Sequence, residues 1–488
     1  MLLLLSLLSG VVCTVLAQPP NILVIVADDL GYNDVSWHNT AVLTPHLAQL
    51  AAEGVTLEQH YSQPICTPTR GALLTGRYPI NNGLHNGVIE PLIPYGLDTS
   101  QTTLPEELRR ANYTTHIVGK WHLGFCNKKF WPTNRGFDHH YGFLNGGQSY
   151  FSHTRDGGYD FWDDEEVALA DNGTYSTTLI QQRAVELIST HDDSKPLFMY
   201  IPFQSVHGPL EVPDVYRNMY SGIEDEDRRT YLGMVTAMDD AVGNITAALK
   251  LSNLYDNTVI VWFSDNGGPL RGWPPGHETA YGANNWPLRG AKFTMWEGGT
   301  RTVAFVHAPQ YLSPRISTTW MHVTDWFPTI LSIAGLSPTR PDLDGLDQWA
   351  QLQDTSLDSP RKEMIYNIFY PNFPEYNITG GPAIGAIRVG DWKYIHRTMG
   401  YSGWAEAPES GAKNQQFPDF EDIRDALYNL ATDPEERENL FDVEPVVAAD
   451  IQAKLDKYIQ ALPDGGYPPK DPAGKPENFG GIWNAGWC

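Results

Sequence analysis

The sequence predicts an α/β protein, with a large unit built on a mixed, mostly parallel sheet flanked by helices, then a smaller C-terminal α+β unit with an antiparallel sheet. Three observations carry this. Short continuous apolar runs alternate with helical patterns through the first part of the chain, the mark of βαβ units. Those runs are apolar throughout rather than at every second position, as strands buried on both faces are. The composition then changes near residue 340, where 341–360 reads as a loop. The expected organisation is a leader at 1–17, the large unit at 18–350 and the small one at 351–488.

Each element follows from its residues. Asn21–Ala27 is a continuous apolar strand. Thr44-Pro45 opens a helix to Glu53, since proline suits the first helical position, and Gly54 stops it. Residues 114–118 form a short strand, 175–190 a helix and 196–202 another strand. The run 229–251 is helical, with Tyr231, Val235, Met238, Val242, Ile245 and Leu249 near helical spacing. Residues 258–263 are again a continuous apolar strand. Past the loop, 392–396 is strand-like and 445–462 helical. The Gly/Pro/Trp-rich tail from Pro463 wraps the surface.

Composition narrows the function. Of 488 residues, 19% are charged and 41% hydrophobic, which is globular rather than disordered or repetitive. The formal net charge of −25 argues against binding a nucleic-acid backbone as the main task, while leaving room for a local basic pocket. Met1 to Ala17 is apolar, too short to span a bilayer well, and ends in Val-Leu-Ala, so it reads as a signal peptide. Its positive flank is missing, because the first Lys or Arg is Arg70. Sequons at Asn112, Asn172, Asn244 and Asn377 fit a glycosylated secretory-pathway protein, secreted or lysosomal, with no membrane span. Cysteines number only four, so there is no disulfide framework. If Cys66 has another task, Cys126 and Cys488 are the remaining pair outside the leader, and spacing does not say whether they bond.

The chemistry gathers after the strands. The first ends in Asp28-Asp29, the second in Gly119-Lys120-Trp121-His122, the third leads to Gln204-Ser205-Val206-His207, and the fourth to Asp265-Asn266-Gly267-Gly268. Open parallel sheets bind ligands outside the carboxyl ends of their strands, so these four segments converge. Asp28, Asp29, Asp265 and Asn266 form an all-oxygen set suited to Ca²⁺ or Mg²⁺ rather than zinc. Cys66 lies in Pro64-Ile-Cys-Thr-Pro-Thr-Arg70, polar and turn-like, at the mouth of a helix that Pro68 would begin.

Here the motifs resemble a family. Cys66-Thr-Pro-Thr-Arg70 with Leu74-Thr-Gly-Arg77, and Gly119-Lys-Trp-His-Leu-Gly124, are similar to the two signatures of the type I sulfatases. Asn285-Trp-Pro-Leu-Arg-Gly290, Lys292 and Trp296-Glu-Gly-Gly-Thr-Arg301 resemble the arylsulfatase B branch, the N-acetylgalactosamine-4-sulfatases. Leu427-Tyr-Asn-Leu430 and Asp433-Pro-Glu-Glu436 resemble the family's C-terminal signature. Thr69 stands where serine is usual, and Asn429 replaces a frequent aspartate.

The resemblance implies an alkaline-phosphatase-like large domain and hydrolysis of a sulfate ester. Cys66 would be converted to formylglycine by the formylglycine-generating enzyme. One hydroxyl of its hydrate would attack sulfur, and loss of a proton from the other would expel sulfate. Ca²⁺ on Asp28, Asp29, Asp265, Asn266 and residue 66 would activate that hydroxyl. Lys120 and Lys292 would neutralise sulfate oxygens, Arg70 and His122 would orient the hydrate, and His207 would protonate the leaving oxygen. Either Ser149 or Ser152 would touch the sulfate. Trp273, Trp286 and Trp296 are for the larger part packing residues, and the Gly/Pro-rich loop 269–285 would shape specificity. The best-matching substrate is N-acetylgalactosamine 4-sulfate of glycosaminoglycans; other small sulfate esters, such as plant glucoside sulfates, stay open. Two other classes compete. A two-zinc phosphatase of the same architecture needs extra histidine ligands, and a non-catalytic sulfated-glycan or matrix relative has no need of Cys-x-Pro-x-Arg.

Overall fold

The computed structural model describes residues 19–270, 282–354, 356–370, 382–398, 402–410, 423–463 and 466–488, with the short strands Asn372–Phe373 and Ile378–Thr379. The leader at 1–17, Asn377, Trp273 and the middle of the 269–285 loop lie outside the described residues.

The central sheet has ten strands: β1 Asn21–Ala27, β2 Val55–Leu57, β3 Thr114–Lys120, β4 His139–Phe143, β5 Trp162–Asp163, β6 Glu166–Val167, β7 Leu197–Pro202, β8 Thr258–Ser264, β9 Ala304–His307 and β10 Arg315–Ser317. Their order is β10-β2-β9-β8-β1-β7-β3-β4-β5-β6. The middle run β8-β1-β7-β3-β4 is parallel, while β9, β5 and β6 pair antiparallel. Continuous apolar strands take this middle because both faces are covered. Leu23, Ile25 and Ala27 pack on one side with helices α1 Pro45–Glu53, α3 Ser176–Ser189 and α4 Glu226–Leu251. Ile22, Val24 and Val26 pack on the other, with α2 Cys66–Thr75 and α5 Trp326–Ile333.

A second sheet follows, β11 Glu363–Phe369, β12 Ile384–Val389, β13 Trp392–Thr398 and β14 Ile423–Asn429, antiparallel in chain order. One face carries α6 Pro445–Gln460 through Ile451 and Leu455. The other face meets the large unit, where Tyr366 packs in one cluster with Tyr61 and Trp296. The tail returns to the large unit, where Trp483 is buried and Cys126 and Cys488 form a disulfide, their Cα atoms 5.5 Å apart. Among the described residues, no helix is long and apolar enough to cross a membrane.

Four elements differ from the sequence expectation. The helix expected at 229–251 begins at Glu226, because Asp225 accepts the Arg228 N–H (2.9 Å) and Glu226 and Asp227 suit the positive helix end. The second strand runs on to Lys120, so that lysine is still held by the sheet. Helix α2 starts at Cys66 itself, and Pro68 sits in its first turn, where no N–H is needed. The loop 341–360 contains a short helix, Trp349–Gln353.

Candidate active site

Parallel pairing sets the site. Ala27 of β1 lies opposite Ser264 of β8, and Val26 opposite Pro202 of β7, so the residues that follow emerge side by side. The Asp265 N–H donates to Ala27 O (2.9 Å), and the Asp28 N–H to Ser205 O (2.9 Å), locking both turns. Gly267 has no room for a side chain: a Cβ there would lie 1.9 Å from Gly298 O.

Carboxylate oxygens of Asp28, Asp29 and Asp265 and the Cys66 sulfur all lie within 4.8 Å of one another, wholly buried. Cys66 Sγ is 3.6 Å from Asp28 Oδ1. Asn266 Nδ2 donates to Asp29 Oδ1 (2.7 Å), while its Oδ1 is buried without a protein partner. An orphaned carbonyl oxygen among three carboxylates fits a hard cation, because desolvated oxygens need a compensating charge. The donor set fits Ca²⁺.

Three cations face these three carboxylates. Arg70 donates to Asp265 Oδ2 through Nη2 (2.8 Å) and Nε (3.2 Å) and reaches Asp28 at 3.5 Å. Lys120 Nζ donates to Asp28 (2.5 Å), and Lys292 Nζ to Asp29 (2.7 Å). Burial and then Asp265 push the Asp28 carboxyl up to about 7. Burial presses Asp29 the same way, but Lys292 and His207 outweigh it and hold the group at about 2. Burial also raises the Cys66 thiol to about 12, despite Lys120 and Lys292, so the unmodified residue is a protonated thiol and a poor nucleophile.

Two histidines complete the cleft. His207 Nε2 is 3.8 Å from Asp29, with 28% of the side chain exposed. Its Nδ1 is 2.7 Å from Gly208 O; a carbonyl only accepts, so Nδ1 carries the proton and Nε2 is the atom that can gain one. Burial is the main cause that takes this imidazole down to about 3. His122 takes a left-handed conformation (φ 59°), and its buried Nδ1 has no protein partner. Burial, then Lys120 and Arg70, holds it well below the ordinary imidazole range.

Thr69 does in this fold what a hydroxyl residue must: it accepts the Gln63 N–H (3.0 Å) and donates to Asp265 O (2.6 Å). Ser149 donates to Glu211 (3.0 Å), and Ser152 lies on Thr154 (2.7 Å), so neither hydroxyl points to the carboxylate cluster. Trp296 is fully buried against the Arg289 guanidinium (3.8 Å) and packs as core; Trp286 has Arg437 over its ring. The sequons Asn112, Asn172 and Asn244 are exposed. Sequence reading missed Gly146 and Gly147. A Cβ on Gly146 would lie 2.6 Å from His122 Nε2, and one on Gly147 3.0 Å from His207 Nδ1. The glycine pair beside Gln148 was the available signal.

Residues 20–336 match the sulfatase family model. The chain belongs to the sulfatase family. It is 38% identical to arylsulfatase J of Mus musculus, over 95% of this chain and 80% of that protein. It is 31% identical to the N-acetylgalactosamine-6-sulfatase of Rattus norvegicus, over 80% of this chain and 73% of that one. The crystal structure of Ps i-CgsB in complex with k-i-k-neocarrahexaose superposes with a TM-score of 0.77 at 28% identity, covering 92% of this chain and 95% of that one. This sulfatase is therefore a sulfuric ester hydrolase of arylsulfatase type, on the alkaline-phosphatase-like architecture. The resemblance does not single out arylsulfatase B, since these relatives are an arylsulfatase J and a 6-sulfatase.

Proposed function

We propose that this sulfatase hydrolyses small sulfated sugars through a formylglycine at position 66, with one Ca²⁺ held by Asp28, Asp29, Asp265, Asn266 and residue 66. One observation carries the reading: three buried carboxylates, an orphaned amide oxygen and Cys66 share one small volume, balanced by Arg70, Lys120 and Lys292. Three acids against three bases leave the site near neutral, so a bound dication makes it net positive. That charge, together with Lys120 and Lys292, would favour an anionic ester.

The hydrated aldehyde supplies two hydroxyls on one carbon, and the ion supplies charge that acidifies them. The chain's own residues do the rest. Lys120 and Lys292 hold sulfate oxygens. Arg70 pins Asp265 and so keeps the ligand turn in place. His122 Nδ1 offers a hydrogen bond to the modified residue. His207 Nε2 takes up a proton as the anionic ester settles beside it, and returns that proton to the leaving oxygen.

N-acetylgalactosamine 4-sulfate is the substrate proposed first, on the motif Asn285–Arg301; a 6-sulfatase relative keeps the position of the ester within the proposal. The leader-like 1–17 and the exposed sequons support a glycosylated protein of the secretory pathway, secreted or lysosomal, and a formylglycine-generating enzyme as maturation partner.

The test is the mass of the chymotryptic peptide that begins after Tyr61, from protein made in a secretory host. The expected peptide has lost its thiol and carries an aldehyde or its hydrate at position 66. An intact thiol, while the host modifies a control sulfatase, overturns the reading.

A further inference from the structure

Beside the cleft lies an arginine that neither the carboxylate cluster nor the reaction uses. Arg155 sits on a two-stranded hairpin, Thr154–Arg155 and Gly158–Tyr159, at the edge of the site. Its Nη2 meets Glu90 at 3.1 Å and its Nε meets Asp156 at 3.4 Å. Nη1 has no hydrogen-bond partner among the described residues. That nitrogen faces inward: a Cβ on Gly146 would lie 3.1 Å from it and 2.6 Å from His122 Nε2. The absence of a side chain at Gly146 thus lets the guanidinium and the histidine of the cleft both pack close to its backbone. About a quarter of the Arg155 side chain remains exposed, so a ligand can reach it.

The hairpin is not left to drift. Trp483 Nε1 donates to Arg155 O (2.8 Å), the Tyr159 N–H to Gly481 O (2.9 Å), and the Trp483 N–H to Tyr159 O (3.0 Å). Trp483 is buried, and the disulfide at Cys488 ties the end of this tail to Cys126. A C-terminal strap therefore fixes the height and direction of a cation at the mouth of an anion-binding site.

We propose that Arg155 is a specificity residue: its free Nη1 edge binds a second anionic group, a carboxylate or a further sulfate, on the part of the substrate that leaves. This rests on the sulfatase reading and adds to it. A small molecule is the occupant, because a surface of net charge −25 repels a long polyanion while a single fixed guanidinium pairs well with one nearby anion.

The experiment uses the full chain, with position 66 first verified by peptide mass. Three phenyl sulfates are compared that carry at the meta position a carboxamide, a carboxylate or a second sulfate. The wild type should favour one or both charged esters over the carboxamide, and the better of the two names the source of the anion. Arg155→Gln should cut that preference at least fivefold, through KM, and Arg155→Lys should keep part of it. Rising ionic strength should erode the preference in the wild type. An equal fall on all three esters would make Arg155 only a support for His122 and overturn the proposal, as would a wild type without any charge preference. Failure to hydrolyse the carboxamide ester despite a modified residue 66 would instead count against the sulfatase reading.

Discussion

At the scale of single residues, the meeting of these side chains was legible because each follows an apolar strand, and chain order in a parallel sheet dictates which ends meet. Asp28, Asp29, Asp265 and Asn266 needed no contact map. What spacing does not reveal is which atoms are left wanting. Asn266 is the telling case, since its amide nitrogen is used by Asp29 while its oxygen is buried and unmatched. That oxygen predicts a metal effect separable from turnover. Added Ca²⁺ should raise the thermal midpoint of the wild type by mass action, and a chelator should reverse it. Asn266→Ala should shift the Ca²⁺ midpoint at least tenfold upward, while Asn266→Asp, which keeps an oxygen there, should retain most of the response. The same Ca²⁺ dependence in Asn266→Ala as in the wild type would remove this residue from the ligand set. The serine expected to touch the sulfate is absent from the cluster, and the reason is visible: Glu211, four residues past His207, takes the Ser149 hydroxyl, and Ser152 bonds Thr154.

At the scale of elements, strands were read well and their joints were not. The apolar runs at Asn21–Ala27 and Thr258–Ser264 announce themselves because both faces are buried. The antiparallel strand Ala304–His307 is equally buried, yet only four residues long, and gives no periodic signal. Hidden too was the joint between the two sheets. Lys393 of β13, fully buried, donates to Glu297 (2.9 Å) and pairs with Glu436 (2.7 Å). Glu297 also accepts from Tyr61 (2.8 Å) on the strand that leads to Cys66, and from Tyr366 (3.0 Å) of β11. Buried ions of this kind stand or fall together, since removing one partner strands the rest; the loss is commonly about 3–5 kcal/mol. Lys393→Met should therefore lower stability by about that amount in denaturant unfolding of the full chain. Adding Glu297→Gln to it should cost less than the two single changes combined, because one of the two carboxyls stranded by the loss of Lys393 is gone. Strict additivity would mean that the joint is held by packing alone.

At the scale of the whole molecule, the balance of buried titratable groups decides how the fold responds to acid. His60 is fully buried between Trp326, whose indole N–H donates to its Nε2 (2.9 Å), and Thr302. Burial takes its imidazole down from 6.5 to about 3, and takes His140 and His116 to about 4. An unfolded histidine binds its proton near pH 6.5, whereas the folded one refuses it until much lower. Between those values the unfolded chain holds more protons, so stability falls as the pH falls. For His60 the loss grows from pH 6.5 downward and reaches on the order of 2 kcal/mol at pH 5. Buried carboxyls pull the other way. Burial raises Glu436 to about 7 and Asp239 to about 6, so the folded chain holds the extra proton there and gains stability on acidification. The total slope mixes both signs, and the histidine term must be isolated by difference. Thermal midpoints of wild type and His60→Gln measured from pH 7.5 to pH 4.5 do this. The variant starts lower, having lost its fit between Trp326 and Thr302, but should lose less stability on acidification, so the two curves converge toward pH 5. Parallel curves would mean that burial does not shift His60, which then binds its proton equally in the folded and unfolded chains. Convergence would make burial of neutral histidines a standing cost in an acidic compartment, opposed by the raised carboxyls.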